Sequence, residues 1–165
     1  MTKSHLYPPF REFAEIARKK LSPARFHHSL GFCHTAMALA SRWGESASAA
    51  AVVGILHDLA KENPTREIRT YIESHGHAIE TEDEPFDRVW HAHAAAVIAE
   101  KDLGVSDPEI LEAIRLHSTA DAGVSMLTRI SFVADLIEPM RTWQEAHAIR
   151  CLARHDFDAA FQSAM

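Results

Sequence analysis

Three observations predict an all-α fold. Apolar residues recur at spacings of three and four along nearly the whole chain, and no run of alternating β-branched residues is bounded by tight turns. Helix start and stop signals punctuate the periodic segments. The first helix is predicted over Phe10 to Lys20, where Phe10, Phe13, Ile16 and Ala17 share a face. Ser22 followed by Pro23 reads as an N-cap and first helical residue, opening a helix that runs to Trp43 and stops at Gly44. Ser46 caps a third helix that carries Val52, Val53, Ile55 and Leu56 and is expected to end near Ala60. Asn63 and Pro64 open the next, Thr65 to His75, with Gly76 as its left-handed terminator. The acidic stretch from His77 to Pro85 reads as an exposed loop, a candidate rim or lid. Beyond it a helix is expected from Phe86 to Leu103, and another from Asp107-Pro108 to His117. After a loop containing Gly123, Ser125 caps a helix ending at Pro139, Thr142 to Glu145 has the capping-box spacing, and Asp156 caps a last short helix.

Composition narrows the function. The 165 residues, 47% of them apolar, suffice for one sizeable core, so the whole chain from 1 to 165 is expected to be a single domain. The 17 Lys and Arg against 23 Asp and Glu leave a net charge of −6, which argues against capture of nucleic acid or of an anionic membrane. The stretch Met1 to Phe10 has no apolar signal core. The longest apolar run, Ala47 to Leu56, falls far short of the roughly 20 residues that span a bilayer. Two distant cysteines, Cys33 and Cys151, form neither a disulfide framework nor a thiolate metal site, and the expected setting is a reducing cytoplasm. Twelve histidines are the unusual feature, since histidine is the commonest metal ligand and carries protons near neutral pH.

Some of these histidines are placed rather than scattered. His28, the adjacent pair His57-Asp58, His91, His117 and Asp135 fall on five predicted helices, each within apolar sequence such as Val53-Gly54-Ile55-Leu56-His57-Asp58-Leu59-Ala60. An aspartate in such surroundings needs a cation or several donors to offset its desolvation. Imidazoles and carboxylates without thiolates suit Fe, Mn, Co, Ni or Zn. Adjacent helical residues point about 100° apart, so His57 and Asp58 can converge on one ion from a helix end, and the two oxygens of Asp58 allow it to bridge two. A two-metal site of this kind favours hydrolysis of a phosphoester or phosphoanhydride.

The ordered set His, His-Asp, His, His, Asp on an all-helical chain resembles the HD-domain metal-dependent phosphohydrolases, in particular their YqeK-like branch of bacterial symmetrical diadenosine tetraphosphate hydrolases. The resemblance is carried by Arg25-Phe26-His27-His28-Ser29-Leu30-Gly31, Gly54-Ile55-Leu56-His57-Asp58-Leu59-Ala60-Lys61, Val89-Trp90-His91-Ala92, Ala113-Ile114-Arg115-Leu116-His117-Ser118-Thr119 and Ala134-Asp135-Leu136-Ile137-Glu138-Pro139-Met140-Arg141. It implies an HD-type helical bundle with its motif-bearing core at about 22–141, followed by C-terminal helices over 142–165. It also implies two divalent ions, iron first, with His28, His57, Asp58 and Asp135 on one and Asp58, His91 and His117 around the other. A bridging hydroxide would attack phosphorus and release two ADP. Lys61 matches the family's lysine three residues after the aspartate and would steady a phosphate, with Arg25 and Arg141 as further substrate contacts. The implied partner is a small nucleotide, and a homodimer is compatible with the chain. The chain departs from its relatives at Ala120-Asp121, where Gly-Arg is frequent, and at Leu59 and Leu136, where tyrosines are common. An acidic Asp121 is unfavourable beside a polyphosphate, and the alternative reading is an HD-type phosphohydrolase for another nucleotide or a phosphomonoester, or a metal- and nucleotide-binding sensor without turnover.

Neighbouring residues have plainer readings. On a helix His93 lies about 200° from His91 and is expected to face elsewhere. His27 precedes the position that fits the Arg-x-x-His spacing. Asp58 and Lys61 would form an ordinary i, i+3 ion pair, and Trp90 and Trp143 are read as packing residues ahead of adenine stacking.

Overall fold

The computed structural model describes residues 10–79, 85–119 and 123–165. Its helices are α1 (Phe10–Lys20), α2 (Pro23–Trp43), α3 (Ala47–Leu56), α4 (Thr65–Ser74), α5 (Trp90–Lys101), α6 (Pro108–Leu116), α7 (Met126–Ile137), α8 (Gln144–Ala153) and α9 (Phe157–Ala164), with a 3-10 turn over Asp87–Val89 before α5. No strand occurs among the described residues. One continuous core runs from Phe13 of α1 through Phe32, Ile55, Ile98, Ile114 and Ile130 to Phe161 of α9. The expected lid contains residues 80–84 and the departure at Asp121 falls in 120–122, both outside the described residues.

The capping signals act where the sequence put them. Ser22, Ser46, Asp107, Ser125 and Asp156 each accept a hydrogen bond from a backbone N–H in the first turn of α2, α3, α6, α7 and α9, supplying partners for donors that the helix itself leaves open. Gly44 ends α2 at φ 84°, a conformation open to glycine without steric cost. The Thr142 capping box does not form. Helix α8 starts at Gln144 with Trp143 as N-cap, so Thr142 stands one position too early to reach the first-turn amides.

Helices α2 and α3 pack closely at Gly54. A Cβ at Gly54 would lie 2.8 Å from Cys33 Sγ and 2.9 Å from Cys33 Cα, so only glycine allows the backbones this near. This contact sets the C-terminus of α3, with His57 and Asp58, beside His28 of α2.

Candidate metal centre

Two helices end at the residues that build the site. Helix α3 stops at Leu56 rather than continuing to Ala60, because the His57 ring bonds through Nδ1 to Gly54 O at 2.8 Å and takes the carbonyl that the next helical turn would use. The chain then descends through three-residue turns, with Lys61 N donating to Asp58 O at 2.9 Å, and residues 57–60 stay buried outside any helix. Helix α6 ends in the same manner, with His117 Nδ1 bonded to Ile114 O at 2.8 Å. His91 repeats the device at the start of α5, where its Nδ1 bonds to Arg88 O at 2.8 Å. That captured carbonyl accounts for the short 3-10 turn over Asp87–Val89 where an uninterrupted helix from Phe86 is expected. A carbonyl only accepts, so in all three rings Nδ1 carries the proton and, in the neutral form, Nε2 presents its lone pair.

Those nitrogens converge on Asp58. His57 Nε2 lies 3.4 Å and His28 Nε2 3.7 Å from Oδ2, whereas His91 Nε2 lies 3.3 Å and His117 Nε2 3.8 Å from Oδ1. The four rings thus form two pairs, one on each carboxylate oxygen. Within each pair the Nε2 atoms are 3.3 Å apart, His28 against His57 and His91 against His117. Two nitrogen lone pairs pointed at each other in a buried site repel unless a cation or proton lies between them, and imidazole with carboxylate is a donor set suited to a divalent transition metal. The geometry yields two candidate triads sharing Asp58: His28, His57 and Asp58, and Asp58, His91 and His117. Asp135 adds an oxygen 3.1 Å from His28 Nε2.

The electrostatics match this arrangement. Burial opposes ionisation of Asp58, but His57, His91 and His117 outweigh it and hold the carboxyl well below the usual carboxylate range. Asp135 is held low as well, its burial outweighed by the hydrogen bond to His28 and the surrounding rings. Burial, together with His57 alongside, pushes His117 down to about 3, so this ring is neutral. Burial also acts against a charged His57, yet adjacent Asp58 prevails and raises it. Asp58 thus favours a proton on His57, and a divalent ion at the same place would supply that positive charge instead.

The predicted substrate residues lie around this cluster in unequal positions. Arg25 Nη1 bonds to Asp58 Oδ2 at 2.9 Å, and Arg141 bonds to Asp135 through its carbonyl at 3.0 Å and its carboxylate at 3.2 Å. Both line a cavity of about 300 Å³ with His28, Glu62 and Met140. Lys61 does not pair with Asp58. Its Nζ sits 3.3 Å from His91 Nε2 and lines a second cavity, of about 430 Å³, with Phe86, Arg88, Ser118 and Thr119. The histidine–aspartate cluster is thus flanked by one cavity beside His28 and another beside His91 and His117. His27 is exposed, and His93 is buried facing a separate cavity lined by His77 and Glu100, as its angular offset from His91 requires. Trp90 is core, whereas Trp143 is exposed with the Arg141 guanidinium 5.1 Å from its ring.

One residue of the site is not singled out by its sequence. Glu138 is buried, accepts the Met140 N–H at 2.8 Å and places Oε1 3.2 Å from His28 Nδ1. Its local signal is the Ile-Glu-Pro flank alone.

A helical bundle with a shared aspartate between two histidine pairs defines a metal-binding protein of the HD-domain class. The HD-domain family profile matches residues 25–140, and the chain belongs to this family. The symmetrical bis(5'-nucleosyl)-tetraphosphatase of Bacillus subtilis (strain 168) is 33% identical over 152 residues, 90% of this chain and 80% of the relative. A protein of the same name from Halalkalibacterium halodurans is 31% identical over 153 residues, 92% of this chain and 80% of its own length. Among solved structures, a protein from Clostridium acetobutylicum described as a predicted HD superfamily hydrolase involved in NAD metabolism superposes with a TM-score of 0.86 at 30% identity, covering 92% of this chain and 80% of that one.

Proposed function

We propose that the protein hydrolyses diadenosine tetraphosphate symmetrically to two ADP, using two divalent metal ions. The observation that carries this reading is Asp58, whose two oxygens serve opposite pairs of histidines with Nε2 atoms facing one another. His28, His57, Asp58 and Asp135 would hold one ion, and Asp58, His91 and His117 the other. Such a pair supplies an activated water and neutralises charge developing on the phosphoryl oxygens. Water adds its oxygen to phosphorus while the central phosphoanhydride P–O bond breaks, so each half leaves as a diphosphate.

The chain's own cations divide between the flanks. Lys61 faces the cavity beside His91, and Arg25 and Arg141 line the one beside His28, so a polyphosphate across the metal cluster meets positive charge on both sides. A nucleotide with two equal arms fits cavities on two sides of one reacting centre. The same cationic flanks let a chain of net charge −6 bind a polyanion locally.

Iron is the first choice of metal, with Mn, Co, Ni and Zn able to use the same ligands. The partner is a small nucleotide rather than nucleic acid. The chain contains no described helix long and apolar enough to cross a membrane. Its two unpaired cysteines, one exposed, suit the reducing cytoplasm in which we place it.

Incubating iron-loaded protein with diadenosine tetraphosphate and separating the nucleotides tests the reading. ADP is expected as the sole product. ATP with AMP would move the cleavage point off centre, and the absence of turnover in protein carrying two metal ions would favour a nucleotide sensor.

A further inference from the structure

We propose that Glu138 is a positioning residue that makes the two metal positions unequal, so that the ion beside His28 exchanges more slowly than the ion beside His91 and His117. The proposal rests on the two-ion reading above. Three of the four rings are oriented by carbonyls three residues earlier in their own turn. His28 alone is backed by a carboxylate, from a residue 110 positions away. Replacing a carbonyl by a carboxylate behind an imidazole draws the Nδ1 proton outward, raises the electron density at Nε2 and strengthens its bond to a cation.

Several features hold this carboxylate in place. Pro139 disfavours helical backbone at Glu138, whose ψ of 158° ends α7 and turns the side chain back towards α2. The Met140 N–H and the Arg141 Nε, 3.5 Å away, fix its two oxygens. Gly31 leaves room for it from the opposite side. A Cβ at Gly31 would sit 2.6 Å from Glu138 Oε2, and Gly31 lies three residues after His28, on the same face of α2. Among the described residues, Glu138 with Asp58 and Asp135 makes three carboxylates around the His28 side, against the shared Asp58 on the other.

The test follows manganese release from the full chain. Wild-type protein loaded with Mn²⁺ is expected to hold two ions and lose them to excess chelator in two phases. Glu138→Gln retains an acceptor for His28 Nδ1 but removes the charge, and is expected to speed the slow phase by roughly 10–100-fold while leaving the fast phase unchanged. Gly31→Ala should accelerate the same phase from the other helix by displacing the carboxylate, and carries the test alone if Glu138→Gln does not fold. In the zinc-loaded protein, the nitrogen-15 shift of His28 Nδ1 should move in Glu138→Gln with the other three rings unmoved. Equal acceleration of both phases, or of neither, overturns the proposal. A wild type holding fewer than two ions overturns the two-ion reading before any variant is made, and the proposal with it.

Discussion

On the Oδ2 side of Asp58 the surrounding groups come from parts of the chain far apart in sequence, with His28 from α2, Asp135 and Glu138 from the end of α7, and Arg25 closing on the carboxylate. On the Oδ1 side His91 and His117 are each aimed by a carbonyl of their own turn, and Lys61 Nζ lies 3.3 Å from His91 Nε2. Apart from His57, which its own turn aims just as His91 and His117 are aimed, the first half is oriented by tertiary packing and the second by local backbone geometry. The difference teaches where each half is vulnerable. Disturbing the α2–α3 or α2–α7 packing displaces the first, whereas the aim of His91 and His117 persists as long as their two turns do.

The largest effect should come from the residue common to both. Asp58→Ala is expected to empty both positions and to lower turnover by roughly 10³-fold or more, since groups acting as one unit fail together. Metal analysis of the purified protein alongside ADP release checks it. Two ions retained by this variant would abolish the bridge and with it the comparison of halves. Next in size are His28→Ala and His117→Ala, each expected to remove one ion and leave the other. Metal content per chain decides, and loss of both ions from either variant would mean that the halves bind as one.

Much of this was legible in sequence because the signals were local. Ser22-Pro23, Ser46, Asp107-Pro108, Ser125 and Asp156 open helices through bonds spanning two or three residues. The His-Asp pair likewise stood out because both groups sit in apolar sequence that makes an unpartnered charge costly. What was not legible depended on competition or distance. Periodicity carried α3 on through Leu59 and Ala60, which are indeed buried, but hydropathy cannot register that the His57 ring has taken the Gly54 carbonyl. Periodicity likewise starts α5 too early, because the His91 ring takes the Arg88 carbonyl. Glu138 reads locally as a charged residue before a proline. Its position depends on a glycine in α2, and no short-range pattern couples the two.

Stability measurements sharpen the comparison at smaller magnitudes. Replacing a mid-helix glycine by alanine ordinarily gains up to about 1 kcal/mol in helix propensity. At Gly54 the new Cβ meets Cys33 Cα at 2.9 Å, a backbone atom that cannot rotate away, and overpacking of this kind costs about 1–3 kcal/mol. Gly54→Ala should therefore be a net loss of about 1–2 kcal/mol by urea denaturation, accompanied by weaker retention of the ion beside His28. A neutral or stabilising result would show that the α2–α3 approach can relax.

The smallest effect is expected at Asp107, the N-cap of the helix that carries His117. Its carboxylate accepts the Glu109 N–H at 2.9 Å and the Ile110 N–H at 3.4 Å, and loss of such a cap typically costs about 1 kcal/mol. His117 is oriented at the opposite end of α6 by Ile114 O, so fraying of the first turn leaves its aim untouched. Asp107→Ala should lower the urea midpoint slightly with both ions retained. Loss of the ion beside His117 in this variant would show that this half depends on the whole of α6, and not on its last turn alone.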